Sequence, residues 1–414
     1  MGDTPKIRFK GFTDAWEQRK LGDYSELITK GTTPSCFCED GDVTFVKIEA
    51  LREKRVVKEL CSAISEEIHK RELARSILKE DDIVFAIAGA TVGKCAVITG
   101  NILPANTNQA LAIIRLKTNI NRDFVYFSLT SKQMEIYINQ SKSIGAQPNL
   151  SLAQMNAFEF LCPCQKEEQQ KIGDYFSALD HLITLHQRKC DETKELKKYM
   201  MQKMFPRNGK KNPEIRFAGF TDAWEQRKVG DIAEYSKGNG YSKSDLTESG
   251  TPIILYGRLY TKYQFVINEV DTFAVPKEGA VYSEGNEVIV PASGETAEDI
   301  ARASAVEKPG VLLGGDLNIL HPFDFINPLF LALAISNGEP QKELAKRAQG
   351  KSVVHIHNSD IQELCISYPT RTEQDKIIAV FRNLDNLITL HQRKCDELKD
   401  IKRFMLQNMF PQKG

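Results

Sequence analysis

Three short stretches of this 414-residue chain come close to catalytic or nucleotide-binding motifs, and each lacks a residue that the chemistry needs. Gly89–Lys94 is one residue short of a phosphate-binding loop, and Cys95 stands where a Ser or Thr would hold magnesium. Gly350–Ser352 ends like the same loop, but Ala345 replaces its first glycine. Residues 327–330 (NPLF) lack the second proline of an Asn-Pro-Pro-Phe motif for adenine methylation. We therefore expect this chain to have no catalytic centre and no cofactor of its own.

Histidine and cysteine could provide metal ligands or nucleophiles. The chain has nine cysteines, an odd number, and two Cys-x-Cys pairs at 36–38 and 162–164. Neither pair has a second pair at the spacing of a structural zinc site. We expect reduced cysteines, as in a cytoplasmic protein, and no bound metal.

Two segments occur twice in the chain. Residues 7–23 and 215–231 match at fifteen of seventeen positions, and residues 182–192 and 387–397 match at all eleven. The bodies between them, about 24–160 and 232–365, are unlike. Near-identical frames around unlike bodies indicate a tandem repeat in which the frames do one common job and the bodies do two different ones.

The second repeated segment lies in a helical pattern that ends in Met-Phe-Pro in both copies. Apolar residues recur in steps of three and four, which is typical of a coiled-coil seam. About thirty-eight residues would give a rod of roughly 57 Å. His186 and His391 fall on the seam, where a polar residue commonly fixes register, and outer leucines widen the apolar stripe. Thr370 and Glu373 predict a capping box at the second helix.

Strand-like and helical runs mix irregularly in both bodies, which predicts an α+β fold. Strands are predicted near 27–30, 43–48, 82–88, 106–116, 252–255, 281–282, 287–290 and 317–321, and helices over 123–138 and from Pro328. Three polar loops match in position between the bodies: 89–94 with 293–296, 106–109 with 315–318, and 145–149 with 349–352. Matching loops on two scaffolds are where binding groups are expected.

Composition excludes little. Lys plus Arg and Asp plus Glu are equal at 55 each, so net charge neither favours nor excludes a nucleic-acid partner. The N-terminus is unlike a signal peptide, and no apolar run is long enough to span a bilayer. We expect a soluble, cytoplasmic protein without a membrane partner.

The repeated RF-x-GFTDAWEQRK segments, Glu-Gln-x-Lys-Ile at 168–172 and 373–377, and LD-x-LITLHQRK at 179–189 and 384–394 resemble the specificity subunit of type I restriction–modification systems. The resemblance covers both frames and the layout of the whole chain. It implies two mixed α/β target recognition domains separated by two long antiparallel coiled-coil helices in a pseudo-twofold repeat. Our boundaries are 1–160, a helix over 161–206, a linker over 207–214, 215–365, and a helix over 366–414.

The resemblance also implies a function and partners. Each recognition domain would read one half of a split double-stranded DNA sequence, while the helices fix the gap. Two methylation subunits would bring S-adenosylmethionine, and restriction subunits would use ATP and Mg²⁺. For the helix pair and subunit interface we choose Phe176, Leu179, Leu182, Ile183, Leu185, His186, Phe381, Leu384, Leu387, Ile388, Leu390 and His391.

Candidate DNA contacts are amides, cations and small hydroxyls on the matched loops and nearby strands, because such side chains hydrogen-bond base edges and phosphates. In the first body they are Lys30, Lys47, Thr91, Lys94, Asn106, Asn108, Gln109, Gln147 and Asn149. In the second body they are Lys243, Arg258, Tyr260, Thr296, Asn318, Lys351 and Ser352.

Two other functions remain open on sequence alone. A non-enzymatic adaptor could join two protein partners through its unlike bodies, using the helices as a strut. A self-sufficient methyltransferase or nuclease would need to bind S-adenosylmethionine or magnesium by itself.

Overall fold

A computed structural model describes residues 4–141, 149–207, 209–350 and 353–411. The chain forms two compact units, Met1–Arg188 with His391–Gly414, and Lys189–Leu390. Each unit therefore combines one body with a part of each long helix. The structure confirms the mixed α+β class.

Among its described residues, the first unit has eleven strands, four short α-helices, the start of one long helix and the end of the other. The strands are β1 (Glu17–Lys20), β2 (Ser25–Lys30), β3 (Val43–Val46), β4 (Leu51–Arg52), β5 (Arg55–Val56), β6 (Ser62–Ile64), β7 (Ile83–Ala86), β8 (Cys95–Val97), β9 (Ala105–Thr107), β10 (Leu111–Leu116) and β11 (Glu159–Cys162). The helices are α1 (Leu21–Tyr24), α2 (Arg122–Leu129), α3 (Lys132–Gln140), α4 (Leu152–Ala157) and α5 (Lys166–Lys203).

The main sheet of this unit has the strand order β2-β10-β7-β8, with every pair antiparallel. Alternate residues cover its two faces, as the pleat requires. Phe85 and Ile114 face a core that also contains helix residues and Trp16. Val84 and Ile113 face a second core on the other side, where β3 and β9 contribute Val46 and Ala105.

The second unit repeats this design with more strands. They are β12 (Glu225–Lys228), β13 (Ala233–Lys237), β14 (Leu246–Thr247), β15 (Thr251–Ile254), β16 (Val266–Ile267), β17 (Phe273–Ala274), β18 (Glu287–Pro291), β19 (Ser293–Gly294), β20 (Ser304–Val306), β21 (Leu312–Leu313), β22 (Leu317–Pro322), β23 (Val354–His355) and β24 (Cys365–Tyr368). The helices are α6 (Arg258–Thr261), α7 (Ala297–Ile300), α8 (Pro328–Ile335), α9 (Gly338–Arg347), α10 (Asn358–Gln362) and α11 (Arg371–Met409).

The main sheet of the second unit has the order β13-β22-β18-β20-β16. One face packs on the helical side of the unit, where α8 is buried from Leu329 to Ile335 because none of these side chains is polar. The other face carries Ile289 and Ile319 against Ile254 and Leu259. β13, β22, β18 and β20 are thus the equivalents of β2, β10, β7 and β8.

The two long helices, α5 and α11, have 38 and 39 residues. Within each unit they pack against each other in antiparallel directions. In the first unit Cys395 lies against the backbone of Ile183, and Lys402 pairs with Asp180. In the second unit Lys197 of α5 pairs with Asp385 of α11. The predicted helix lengths and antiparallel packing are confirmed.

A buried ion pair fastens each front segment to the start of its helix. Arg8 donates two hydrogen bonds to Glu168, at 2.6 and 2.8 Å, and Arg216 makes the same pair with Glu373 at 2.7 and 2.8 Å. Both glutamates are about 1% exposed. The residue after each glutamate also makes the same kind of contact in both units. Gln169 donates to the carbonyl of Pro163, and Gln374 donates to the carbonyl of Pro369.

Four local predictions were wrong. The helix predicted over 123–138 is two helices, α2 and α3, with Thr130 and Ser131 between them. The run 106–116 is two strands separated by a turn, because the chain leaves the β3 layer at Thr107 and enters the main sheet at Leu111. Residues 281–282 form only an isolated bridge, between Tyr282 and Leu312. The carboxylate of Glu373 binds Arg216, so it does not close the predicted capping box with Thr370.

Candidate nucleic-acid interface

In the first unit, polar loops meet at one end of the main sheet. The register pairs Lys30 with Ala112, Leu111 with Ala86 and Phe85 with Cys95. The end of β2, the start of β10, the end of β7 and the start of β8 therefore lie side by side. The loops that follow or precede them, 31–42, 108–110 and 87–94, share this end.

The second unit has the same arrangement. Lys237 pairs with Asn318, Pro291 with Leu317, and Ile289 with Ser304. The loops 238–245, 314–316 and 292–303 consequently share one end of this sheet. We call these two surfaces the first and second loop ends.

The chain that borders the third matched loop contacts each loop end through its backbone. In the first unit Leu150 donates its backbone N–H to Ile87 at 2.8 Å, and Asn149 bridges to Ala88. In the second unit Ile356 donates to Ala292 at 3.0 Å. In each unit the first two matched loops and the chain beside the third thus meet at the loop end. Gln147, Lys351 and Ser352 lie outside the described residues.

Several predicted contacts of the first unit reach solvent at the loop end. The side chains of Lys30, Lys94, Gln109 and Asn149 are exposed, and those of Lys47, Thr91 and Asn108 are half-buried. The Lys47 ammonium lies 4.3 Å from the centre of the Phe37 ring, and Asn108 accepts a hydrogen bond from the backbone of Ala110. Thr33 donates to Gln109 from the neighbouring loop.

Asn106 is a correction. Its side chain is fully buried, and its amide donates to the Leu73 carbonyl at 2.9 Å and to the Ser76 hydroxyl at 3.2 Å. Its oxygen faces the ring of His69. Every polar atom of this side chain therefore serves the fold, and none is available to a base.

Asn318 is a second correction, because it also is fully buried and donates to the Ile356 carbonyl at 2.9 Å. The loop equivalent to 108–110 is 314–316, so Asn318 lies inside β22 and not on the loop. Its neighbour in the register, Lys237, is exposed at the loop end. The sequence prediction missed Lys237, although the Lys-Gly pairs at 30–31 and 237–238 could have indicated it.

The remaining candidates of the second unit differ in availability. Lys243 and Thr296 are exposed, and Thr296 caps the short α7 by accepting from Asp299. Tyr260 is half-buried beside Tyr256. Arg258 is held inside the protein: its guanidinium binds Asp271 and the carbonyl of Glu269. Lys262 and Arg258 together lower the pKa of Asp271 to about 2, so this carboxylate keeps Arg258 engaged at neutral pH.

The chosen helix residues divide between a buried seam and an exposed face. The seam contains Phe176, Leu179, Ile183, Phe381 and Leu384, all buried, with Ile388 half-buried. The Nδ1 atoms of His186 and His391 lie 3.1 Å apart within the first unit, as expected for polar seam residues that meet each other. Neither histidine belongs to a group of three potential metal ligands among the residues that the structure describes.

Both units expose several apolar side chains on the long helices. The side chains of Leu182, Leu387 and Leu390 are 40%, 44% and 58% exposed, while Leu185 is half-buried. Two further pairs had not been chosen from the sequence: Leu196 with Tyr199, and Ile401 with Phe404. We call Leu182, Ile401 and Phe404 the first outer patch, and Leu196, Tyr199, Leu387 and Leu390 the second outer patch.

Comparison with known proteins agrees with this geometry. The family model of the type I restriction modification DNA specificity domain matches residues 13–195 and again residues 221–400. The chain belongs to this family. It is accordingly a DNA-recognition chain, and the specificity subunits of the family are non-catalytic.

Two relatives come from Methanocaldococcus jannaschii. The type I restriction enzyme MjaVIII specificity subunit is 21% identical over 94% of this chain and 90% of its own length. The MjaIX specificity subunit is 22% identical over 95% and 92%. Both alignments span the frames and the bodies together.

Solved structures share the fold. The S subunit of a type I restriction–modification system from M. genitalium has a TM-score of 0.64 at 15% identity, covering 99% of this chain and all of that one. A chain from a study of complex assembly and conformational transition in a type I system has a TM-score of 0.52, also at 15% identity, covering 94% and 96%. Among the described residues, no helix is long and apolar enough to cross a membrane.

Proposed function

We propose that each unit reads one half of a bipartite DNA sequence at its loop end. The observation that carries this proposal is the contrast within the repeat. Equivalent strands bring equivalent loops to the same sheet end in both units, yet the loops themselves have unrelated sequences. Equal scaffolds with unequal loops suit two half-sites of different sequence.

The chemistry available at the loop ends supports base reading. Exposed amides such as Gln109 and Asn149 can bond an adenine edge through two hydrogen bonds, and exposed lysines such as Lys94 and Lys243 can bond guanine. Each good pair of this kind contributes about 1–3 kcal/mol of discrimination between bases.

The long helices are proposed to set the gap between the half-sites and to dock two methylation subunits on the two outer patches. Exposed apolar side chains that recur at equivalent positions of a repeat are typical of a surface that binds the same partner twice. S-adenosylmethionine would be held by these partners, while ATP and Mg²⁺ would be used by restriction subunits that join the complex. The protein itself would work in the cytoplasm, on double-stranded DNA.

A body exchange tests the reading function. Residues 25–158 of this chain are replaced by the corresponding body of another specificity subunit, which leaves the β1 and β11 segments of the frame intact. Methylation mapping in a host that expresses the complete complex should return one new half-site, with the other half-site and the gap unchanged. Changes in both half-sites would contradict independent reading by the two units.

An adaptor that joins two proteins was the other interpretation of the sequence, and the match to the DNA specificity family does not favour it. Footprinting of the complex with its methylation subunits separates the two functions. Two protected patches separated by a gap support DNA reading, whereas unprotected DNA supports the adaptor.

A further inference from the structure

We infer that Lys30 and Lys237 are equivalent contacts to the DNA backbone, one phosphate in each half-site. This inference rests on the proposed DNA-reading function and adds which residues seat each unit on its half-site. Both lysines are the last residue of an edge strand, β2 in one unit and β13 in the other.

The backbone around the two lysines is the same in detail. Gly31 donates its N–H to Leu111 at 3.3 Å, and Gly238 donates to Leu317 at 3.0 Å; these acceptors are the first residues of β10 and β22. One residue later, Thr32 donates to Thr107 and Asn239 to Leu313, both at 3.1 Å. Two bodies with unrelated loops thus retain one common local structure.

The glycine after each lysine is required by packing. A Cβ on Gly31 would collide with the carbonyl of Thr107, and a Cβ on Gly238 would collide with the carbonyl of Gly314. Because the neighbouring chain passes so close to each glycine, the backbone of each lysine is held in a fixed position relative to the reading loops. A charged side chain on a fixed backbone loses less conformational freedom when it binds.

The charge of each lysine is available. Both side chains are exposed, and among the described residues no carboxylate lies within ion-pair distance of either ammonium. Two other cations of the second unit are engaged: Lys277 binds Asp245, and Arg258 binds Asp271.

The identity of the two lysines favours phosphate over a base. Residues that read different half-sites must differ between the units, and the reading loops do differ. Phosphate is the same in every sequence, so a phosphate contact can be made by the same residue on both scaffolds. The competing explanation is that these lysines only protect exposed sheet edges from pairing with another chain.

The experiment uses the complete complex with its methylation subunits and a duplex that carries the mapped target. Binding constants are measured across a salt series for Lys30→Gln, Lys237→Gln and the double variant. Matched controls are Lys79→Gln and Lys308→Gln, exposed lysines at the opposite ends of the same two sheets. Each test variant should lower the slope of log K against log salt by about 0.9, and the double variant by about twice that.

Ethylation interference should locate the contacts. Each single variant should lose one interfering phosphate, in opposite half-sites, while the methylated sequence stays the same. Slopes equal to those of the controls would overturn the inference and leave the lysines as edge protection. A changed base preference would overturn it in favour of base reading. A wild-type complex without a specific target would instead refute the proposed function itself.

Discussion

Asn106 and Gln109 are three residues apart, yet one serves the fold and the other is exposed at the candidate DNA interface. Asn106 is in β9, which lies beneath the loop end, with its side chain turned into the core. Gln109 is in the turn that follows, with its side chain in solvent. The sequence placed both on one polar loop because four consecutive polar residues carry no period that separates an inward side chain from an outward one.

Replacement of these two residues should therefore give opposite results. Asn106→Ala leaves its buried hydrogen-bond partners unsatisfied, which lowers the free energy of unfolding by about 1–3 kcal/mol for each. We expect a lower midpoint of urea unfolding and an unchanged methylated sequence. Gln109→Ala should leave the midpoint unchanged and relax the preference at one position of one half-site. A change of half-site in the Asn106 variant would return this residue to the reading surface.

Asp180 makes the stability of the fold depend on pH. Burial raises the pKa of its carboxyl, and the ammonium of Lys402, 2.5 Å away, opposes that rise. The folded protein therefore holds the proton at pH values where the unfolded chain has lost it. Stability from this group is complete below the unfolded pKa, and it is lost as pH rises through the folded pKa.

Asp180→Asn should remove that loss. Relative to wild type, the free energy of unfolding of the variant should increase as pH rises from about 4 towards neutrality. Lys402→Met keeps an unbranched side chain but removes the ammonium, which lies 5.6 Å from the centre of the Phe127 ring, so it should steepen the loss. Urea unfolding at a series of pH values measures both. A constant difference between Asp180→Asn and wild type would contradict the raised pKa.

At the scale of elements, contacts made within the frame account for the near-identity of its two copies. The Arg8–Glu168 pair and the Arg216–Glu373 pair join the repeated front segment to the Glu-Gln-x-Lys-Ile motif of each long helix, and Trp16 and Trp224 are buried in equivalent cores. Repeats and helical periodicity could predict the helices, their seam and the meeting of the histidines. They could not predict the Arg–Glu pairs, since partners 160 and 157 residues apart leave no local signal.

The outer patches belong to the same scale. Leu182→Glu with Phe404→Glu changes only the first outer patch, and Leu387→Glu with Tyr199→Glu changes only the second. Because these side chains are exposed in the free chain, folding should persist, but a buried charge at an interface would be costly. Native mass spectrometry should find one methylation subunit fewer in each double variant. Leu60→Glu, an exposed leucine of the first body, is the control; full assembly of both double variants would refute docking on these patches.

At the scale of the whole molecule, the proposed gap between half-sites depends on helix length. An insertion in α5 alone would move Lys197 away from Asp385 and disrupt the packing of α5 on α11 in the second unit. Paired insertions avoid this: seven residues between Arg188 and Lys189, and seven between Leu390 and His391. These points are the boundaries of the two units, so each unit keeps all its own residues, and seven residues preserve the heptad seam.

The added rise is about 10.5 Å. Since each base pair adds about 3.4 Å, the gap should lengthen by a whole number of base pairs, no more than about three. Both half-sites should remain unchanged, because the loop ends are untouched. Methylation mapping measures the half-sites and the gap together. An insertion in one helix alone should lower assembly, whereas an unchanged gap in the paired variant would mean that something other than helix length sets the distance.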